Sequence, residues 1–521
     1  MKQYLLYYLA ESEMQSMEKT MTRLEATKID GPPMTSTWTF AHRLLEGLTL
    51  EISLLCDIDG VTPYLRQHPV DLLVYDERGQ GQVGAVEGIK KIHKSVNQLA
   101  SLWGPDFKFP ASRIVTILKK TDDLDHLLFE LGRLKVRDVL VAPKSTASVL
   151  RWLKEILYHG IIRTNTTGIA LSGGAIEGFL YQIGVLHALN CALSDRNIQD
   201  VDVISGVSSG SIIGAMLATK VPIIDLLRAL HGLSSTSPQF KLTTFFDFAG
   251  FHIFRRFARM SFAMPRSAPN QWIANILQSI PTGFFKGDKF EKYLREVFKA
   301  HNTPTKFVDL DTKFYVGTTD QDNFDHVVLG RAPLDKMDIA SAVRASSALP
   351  PLFTPKRLQG RNYIDGQVTK SCDLESVIGE GARLVLVVDP LKPYKTTTAG
   401  FAEDKGGFFS VVQMIKALVS TRFDETLHAV TERYPDVDFI VFQPSEECAK
   451  LMSGSPLKSK LRTEIIESAY RGTLRMLRER HRVYASKLGR HGYTLRPIHQ
   501  LKILENNYYG ILRAPYQGET S

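Results

Sequence analysis

Through the first 160 residues, short apolar runs alternate with stretches in which apolar residues recur every three or four positions. The runs "KQYLLYYL", "LEISLLCDID", "VDLLVYDERG", "SRIVTILKK" and "VRDVLVAPKS" predict five strands. Between them "GAVEGIKKIHKSVNQLASLWG", "DDLDHLLFELGRL" and "TASVLRWLKEILYHG" predict helices. "STWTFAHRLLEGL", which follows the irregular insert "DGPPM", predicts one more. Strands joined by helices in this way fold as a doubly wound parallel sheet, because a parallel neighbour is reached through a crossover helix. "YHGIIRTNT" (158–166) reads as a linker, and the alternation resumes beyond it. The expected organisation is an α/β chain in three parts: 1–160, 165–400, and a helical, basic extension over 401–521.

The pattern of the last part is helical. "TEIIESAYRGTLRMLRERHRVYASKL" reads as one long helix, with Ile466, Tyr470, Leu474, Leu477, Tyr484 and Leu488 on a stripe and arginines opposite. The stripe is expected to pack on the preceding domain, and the arginines to attract anionic head groups. Charge follows the same division. The chain of 521 residues carries +9 overall, yet 450–513 alone holds fourteen Lys/Arg against four Glu. No nucleic-acid-binding motif accompanies this charge, so a nucleic-acid partner is not expected.

Cys56, Cys191, Cys372 and Cys448 are scattered without a CxxC pair, which argues against a disulfide framework or zinc site. "MKQYLLYYLAESEMQ" lacks the cleavage pattern of a signal peptide. No run approaches the roughly 20 apolar residues that span a bilayer. The expectation is a cytoplasmic protein, peripheral at the inner membrane surface. Nothing in the sequence fixes its oligomeric state.

Candidate chemistry begins at "GIALSGGAIEGFLYQIGVLHAL", a strand that turns through Ser172, Gly173, Gly174 and Ala175 into a helix. Backbone N–H groups at such a turn can face an anion, either a phosphate or the oxyanion of an acyl transfer. About thirty residues on, "VDVISGVSSGSIIGAMLA" sets Gly206-Val207-Ser208-Ser209-Gly210 between a strand and a helix. That is the context of a nucleophile elbow. A serine nucleophile needs a base. The late histidines His428, His481, His491 and His499 are candidates for a Ser-Asp-His triad, and Asp365-Gly366, ending the strand of "LQGRNYIDGQVT", is another.

Taken together, these motifs resemble the patatin-like phospholipase family, of bacterial type, over roughly 165–395. The resemblance implies a serine acyl hydrolase of lipid esters that needs no metal or organic cofactor. It implies Ser208 as nucleophile, Asp365 as base of a Ser–Asp dyad, and backbone N–H groups of Gly173, Gly174 and Ala175 as the oxyanion hole. Gly178, Gly206, Gly210 and Gly366 are the motif glycines. Two departures stand out in the loop. Ala175 replaces a glycine, which suits a negative φ, and Glu177 replaces a base and is expected to pair with Arg344 or point away. A decayed domain acting as a scaffold is the alternative. The Phe-, Met- and Arg-rich stretch 243–287 suits a lid over an acyl channel.

The first domain resembles a degenerate response-regulator receiver of flavodoxin-like order. Asp76 ends the third strand, where a phosphoacceptor would sit, and Lys144 ends the fifth. Only Glu11 and Glu13 could supply the acidic pair that holds Mg²⁺. A regulatory or docking domain that works without phosphate is the favoured reading.

Overall fold

The early apolar runs build one seven-stranded sheet in the computed structural model. The structure describes residues 2–30, 35–41, 49–78, 84–103, 109, 113–159, 166–233, 235–239, 247, 283–396, 398, 400–454 and 458–509. The strands are β1 (Lys2–Tyr8), β2 (Thr27–Ile29), β3 (Ser36–Ala41), β4 (Thr49–Leu55), β5 (Leu72–Asp76), β6 (Ile114–Leu118) and β7 (Asp138–Val141). Their order is β2-β3-β4-β1-β5-β6-β7. From β4 to β7 every pairing is parallel.

Alternate residues of the same strands feed two cores. On one face Leu5, Tyr7, Ile52 and Val74 meet Met21 of α1 (Glu11–Arg23) and Trp152 of α5 (Thr146–His159). On the other, Leu6, Tyr8, Leu73 and Tyr75 meet α2 (Ile58–Gln67), α3 (Ala85–Trp103) and α4 (Leu124–Arg133). Each fully buried aliphatic side chain contributes about 1.5–3 kcal/mol. The sheet is doubly wound, as the alternation predicts.

One element differs from expectation. "STWTFA" is a strand and not the start of a helix: β3 runs antiparallel to β4, pairing Ser36–Ala41 with Thr49–Leu54. Thr and Trp suit a pleated surface, and Thr37 hydrogen-bonds Ser53 across the pair at 3.0 Å.

By its internal contacts the chain divides into two compact units. The first contains residues 1–165 together with 427–440 and 479–495. Its later segments are held by Asp438, a buried carboxylate that accepts from Arg113, Arg490 and His491, each at 3.1 Å.

The second unit contains 166–426, 441–478 and 496–521. Its strands are β8 (Thr167–Leu171), β9 (Val203–Val207), β10 (Lys313–Asp320), β11 (His326–Leu329), β12 (Lys356–Leu358), β13 (Arg361–Asp365) and β14 (Leu384–Val388). With β15 (Asp438–Phe442), whose residues straddle the division, they form a sheet ordered β12-β13-β10-β9-β8-β14-β15, and β11 pairs with β10. The β10-β9-β8-β14 centre is parallel; β11, β12 and β13 join antiparallel. The helices that matter for the site are α6 (Ala175–Ala192), α7 (Ser209–Ala218), α8 (Ile223–Leu230), α9 (Asp288–Ala300), α10 (Ile339–Ser346), α11 (Gly407–Arg433) and α12 (Ser459–Glu479).

Every residue of α6 from Gly178 to Leu189 is buried, the polar Gln182 and His187 included. Ile466 of α12 lies against it: a Cβ at Gly184 would fall 2.4 Å from the Ile466 carbonyl oxygen. The tail stripe therefore packs on α6 at Ile466. Contrary to the sequence reading, it does not continue as one helix. The chain breaks at Arg480, and Tyr484 and Leu488 belong to the helix His481–Arg490 in the first unit. Among the described residues, no helix is long and apolar enough to cross a membrane.

Candidate active site

The turn from β9 to α7 is tight, and Ser208 sits at its apex with φ 52° and ψ −124°. A side chain in this region costs of order 1–3 kcal/mol and persists only where its surroundings over-determine it. Three bonds do so. Ser208 N–H donates to Ser346 Oγ at 2.8 Å, Ser346 donates to the Gly317 carbonyl at 2.7 Å, and Ser211 Oγ donates to the Ser208 carbonyl at 2.6 Å. The flanking residues must be glycine for want of room. A Cβ on Gly206 would lie 2.5 Å from the Gly210 carbonyl oxygen, and one on Gly210 only 2.3 Å from that of Leu171.

Asp365 ends β13 beside β10, opposite Thr318. Thr319 Oγ1 donates to its carbonyl at 3.0 Å, and Gly366 follows it into a short 3-10 turn. The carboxylate is 1% exposed. It accepts the Gln367 N–H at 2.9 Å and a hydrogen bond from the Ser208 hydroxyl. Burial pushes its pKa up to about 7, against the downward pull of those two bonds. A carboxyl near neutrality that touches a serine hydroxyl is matched to general-base work.

The loop from β8 into α6 is anchored from behind. Ser172 donates to Asp389 Oδ1 at 2.6 Å, Gln443 donates to Asp389 Oδ2 at 2.9 Å, and Gln182 donates to the Ser172 carbonyl at 2.6 Å. Gly178 N–H closes the first turn on the Gly174 carbonyl at 2.7 Å. The N–H groups of Gly173, Gly174 and Ala175 have no acceptor among the described residues. Three open donors thus stand at the N-terminus of a long helix, a setting that favours a negative charge.

Ala175 has φ 53°, the opposite of the negative φ its replacement of a glycine called for. Glu177 does not pair with Arg344. That guanidinium is buried and donates to the carbonyls of Thr354 (2.8 Å) and Lys286. Glu177 instead interacts with Lys416 of α11. Burial raises the carboxyl's pKa and lowers the amine's, and each charge opposes the shift of the other.

Of the late histidines, His491 is engaged by Asp438 at 3.1 Å and His428 by Glu432 at 3.5 Å. In the first unit, Asp76 is buried at the end of β5. Its oxygens accept from Tyr7 Oη (2.7 Å) and from Arg78 Nε (2.8 Å) and Nη2 (2.6 Å). Glu11 and Glu13 are exposed on α1, and Lys144 is exposed. Among the described residues, no three His, Cys, Asp or Glu side chains gather as a metal site. The proposed lid, 243–287, lies outside the described residues except for Asp247 and 283–287.

Sequence reasoning missed Ser346, Asp389, Gln443 and Lys416. Ser346 lies within "IASAVRASSALPPLFTP", whose small residues were the one available signal. Asp389 is 217 residues from Ser172, and nothing local marks the pair.

The α/β sheet thus carries a strand-to-helix turn with Ser208 at its apex, hydrogen-bonded to the buried Asp365 carboxylate. Residues 169–378 match the model of the family described as patatin-like phospholipase. Over 287 residues the chain is 24% identical to Lysophospholipase nte1 of Aspergillus niger, covering 54% of this chain and 16% of that protein. Over 228 residues it is 24% identical to Uncharacterized protein R571 of Acanthamoeba polyphaga mimivirus, covering 42% of this chain and 66% of that one. Among solved structures, VipD from Legionella pneumophila aligns with 67% of this chain and 75% of its own, at 16% identity and a TM-score of 0.33.

Proposed function

We propose that the second unit is a serine acyl hydrolase acting on phospholipids, lysophospholipids or related lipid esters. The observation that carries this reading is the contact of the Ser208 hydroxyl with a buried Asp365 whose pKa is pushed up to about 7. In the proposed mechanism Asp365 takes the Ser208 proton as Oγ attacks the ester carbonyl. The oxyanion is held by the N–H groups of Gly173, Gly174 and Ala175. The alcohol leaves with the proton from Asp365, and an acyl-serine remains. Asp365 then activates water to release the acid. None of these steps calls on a cofactor.

A small apolar cavity of about 10 Å³ lies one turn beyond Ser208, lined by Phe179, Ile212, Met216, Leu226, Phe290 and Tyr293. A void of that size holds about one water, so it marks the seam between α6, α7, α8 and α9 and not an acyl channel. The substrate class rests on the family match and on the lysophospholipase relative. In this reading the enzyme is cytoplasmic and meets an anionic inner membrane surface peripherally.

The first unit is proposed as a receiver-like regulatory or docking domain that works without phosphate. Phosphoryl transfer to Asp76 would first have to displace Arg78.

A fluorophosphonate probe and a panel of lipid esters test the site. Labelling of wild type, lost in Ser208→Ala, supports the nucleophile; an unlabelled wild type supports the scaffold alternative. Hydrolysis that persists in Asp365→Asn would sink the dyad. Loss of activity on replacing any one of His428, His481, His491 or His499 would favour the triad.

A further inference from the structure

Within the first unit, the returning helix His481–Arg490 helps to enclose a cavity of about 50 Å³. Its cationic walls are Arg113, just before β6, and Arg480, Lys487 and Arg490 from the returning segment. Leu65, Val70, Phe109 and Val483 give it an apolar side, and His68, at the end of α2, stands beside them. Asp76 is not among its walls.

One carboxylate is spread over three of these cations. Asp438 accepts from Arg113 and Arg490 and faces Lys487 as well, and Arg490 also reaches Asp71. Beside the cavity, Arg482 and Glu51 act on His68 with opposite signs. Arg480 donates to the Arg66 carbonyl in the last turn of α2 (3.2 Å) and to Tyr484 Oη (3.3 Å). Lys487 donates to the Phe439 carbonyl (2.8 Å). These acceptors are neutral. The Arg490 Nε–H is buried with no acceptor among the described residues.

Guanidinium and ammonium groups donate and do not accept, so such walls call for a ligand that brings acceptors and negative charge. The arginine fork matches the oxygens of a phosphate. A cavity of this volume holds a few waters or a small oxyanion. The apolar side suits the carbon atoms next to such a group.

We propose that this cavity binds the phosphate group of a small phosphorylated ligand, held by Arg113, Arg480, Lys487 and Arg490. The first unit then senses its ligand by non-covalent binding, with no phosphoryl transfer to Asp76. The inference concerns the first unit alone and stands apart from the hydrolase reading. A soluble phosphomonoester and a lipid phosphate present the same group, and the test separates them.

The test uses the full chain carrying Ser208→Ala, so that no ester is consumed. Binding of inorganic phosphate and of phenyl phosphate is measured by titration calorimetry, with phenol as the uncharged control. Saturable one-to-one binding of a phosphate is expected, to weaken with salt and to fall by about tenfold or more in Arg480→Gln/Lys487→Gln. Arg480→Lys/Lys487→Arg keeps the charge and should keep most of the affinity. Arg113 and Arg490 are left in place because they also hold Asp438. Should the Gln pair lose the native circular dichroism, Lys487→Gln alone takes its place under the same criteria.

Vesicles of phosphatidylcholine, with and without phosphatidic acid, form the second arm. Binding to phosphatidic acid that phenyl phosphate competes away and the Gln pair loses assigns the site to a lipid head group. Binding of the soluble phosphates alone assigns it to a soluble ligand, and either result upholds the cavity. A chain that binds none of these phosphates overturns the proposal. Binding that the Gln pair leaves unchanged also overturns it, because the anion then sits elsewhere, such as at the open donors of Gly173, Gly174 and Ala175.

Discussion

Replacing Asp365 by Asn should abolish turnover and at the same time make the protein more stable in neutral solution. In the folded chain the carboxyl is fully buried and its pKa is pushed up from 3.8 to about 7, chiefly by desolvation. The native state therefore holds this proton more tightly than the unfolded chain does. The associated stability is fully present below about pH 4 and is lost as pH rises through about 7. A shift of about three pH units at 1.36 kcal/mol each corresponds to about 4 kcal/mol withheld from the wild type above pH 7. Asn keeps the shape without the charge. Denaturant melts of wild type and Asp365→Asn at pH 8 should differ by up to about 4 kcal/mol in favour of the variant, and the difference should close towards pH 4. The wild type's kcat/KM should rise about tenfold per pH unit below 7 and level off above it, since only the carboxylate accepts the serine proton. A profile already flat at pH 5, or a variant no more stable at pH 8 than at pH 4 relative to wild type, would refute the reasoning.

Two smaller perturbations test the frame around the dyad. Ala175→Gly should stabilise the protein by about 0.5–1 kcal/mol in a denaturant melt, because φ 53° is costly for an L side chain; ester hydrolysis should continue, since the loop acts through backbone donors. Ser346→Ala leaves the Ser208 N–H without its acceptor in a buried setting. That should cost about 1–3 kcal/mol of stability and lower kcat more than it raises KM.

The doubly wound sheet was legible because its short, continuous apolar runs alternate with helical stretches, and each run feeds both faces. "STWTFA" misled because six residues carry too little periodicity to outweigh the helical-looking "HRLLEGL" behind them. The break at Arg480 left no proline or glycine to announce it, and the stripe of Ile466 and Tyr470 runs on smoothly through Tyr484 and Leu488. Around the site, the elbow and the Asp365-Gly366 turn could be picked out because small residues between apolar runs have a local meaning. The partners could not. Ser346, Asp389 and Lys416 reach Ser208, Ser172 and Glu177 across the fold, where sequence distance carries no information. The left-handed backbone at Ala175 was hidden because alanine there goes against its own preference.

The first unit is continuous in space but not in sequence. Asp438 and Arg490 are encoded hundreds of residues after the strands they serve, and Arg113 reaches Asp438 across 325 positions. A truncation ending at the 158–166 linker would remove the carboxylate that Arg113 holds, and one beginning there would leave Asp438 without that cation. No single cut in the sequence therefore separates the two compact units.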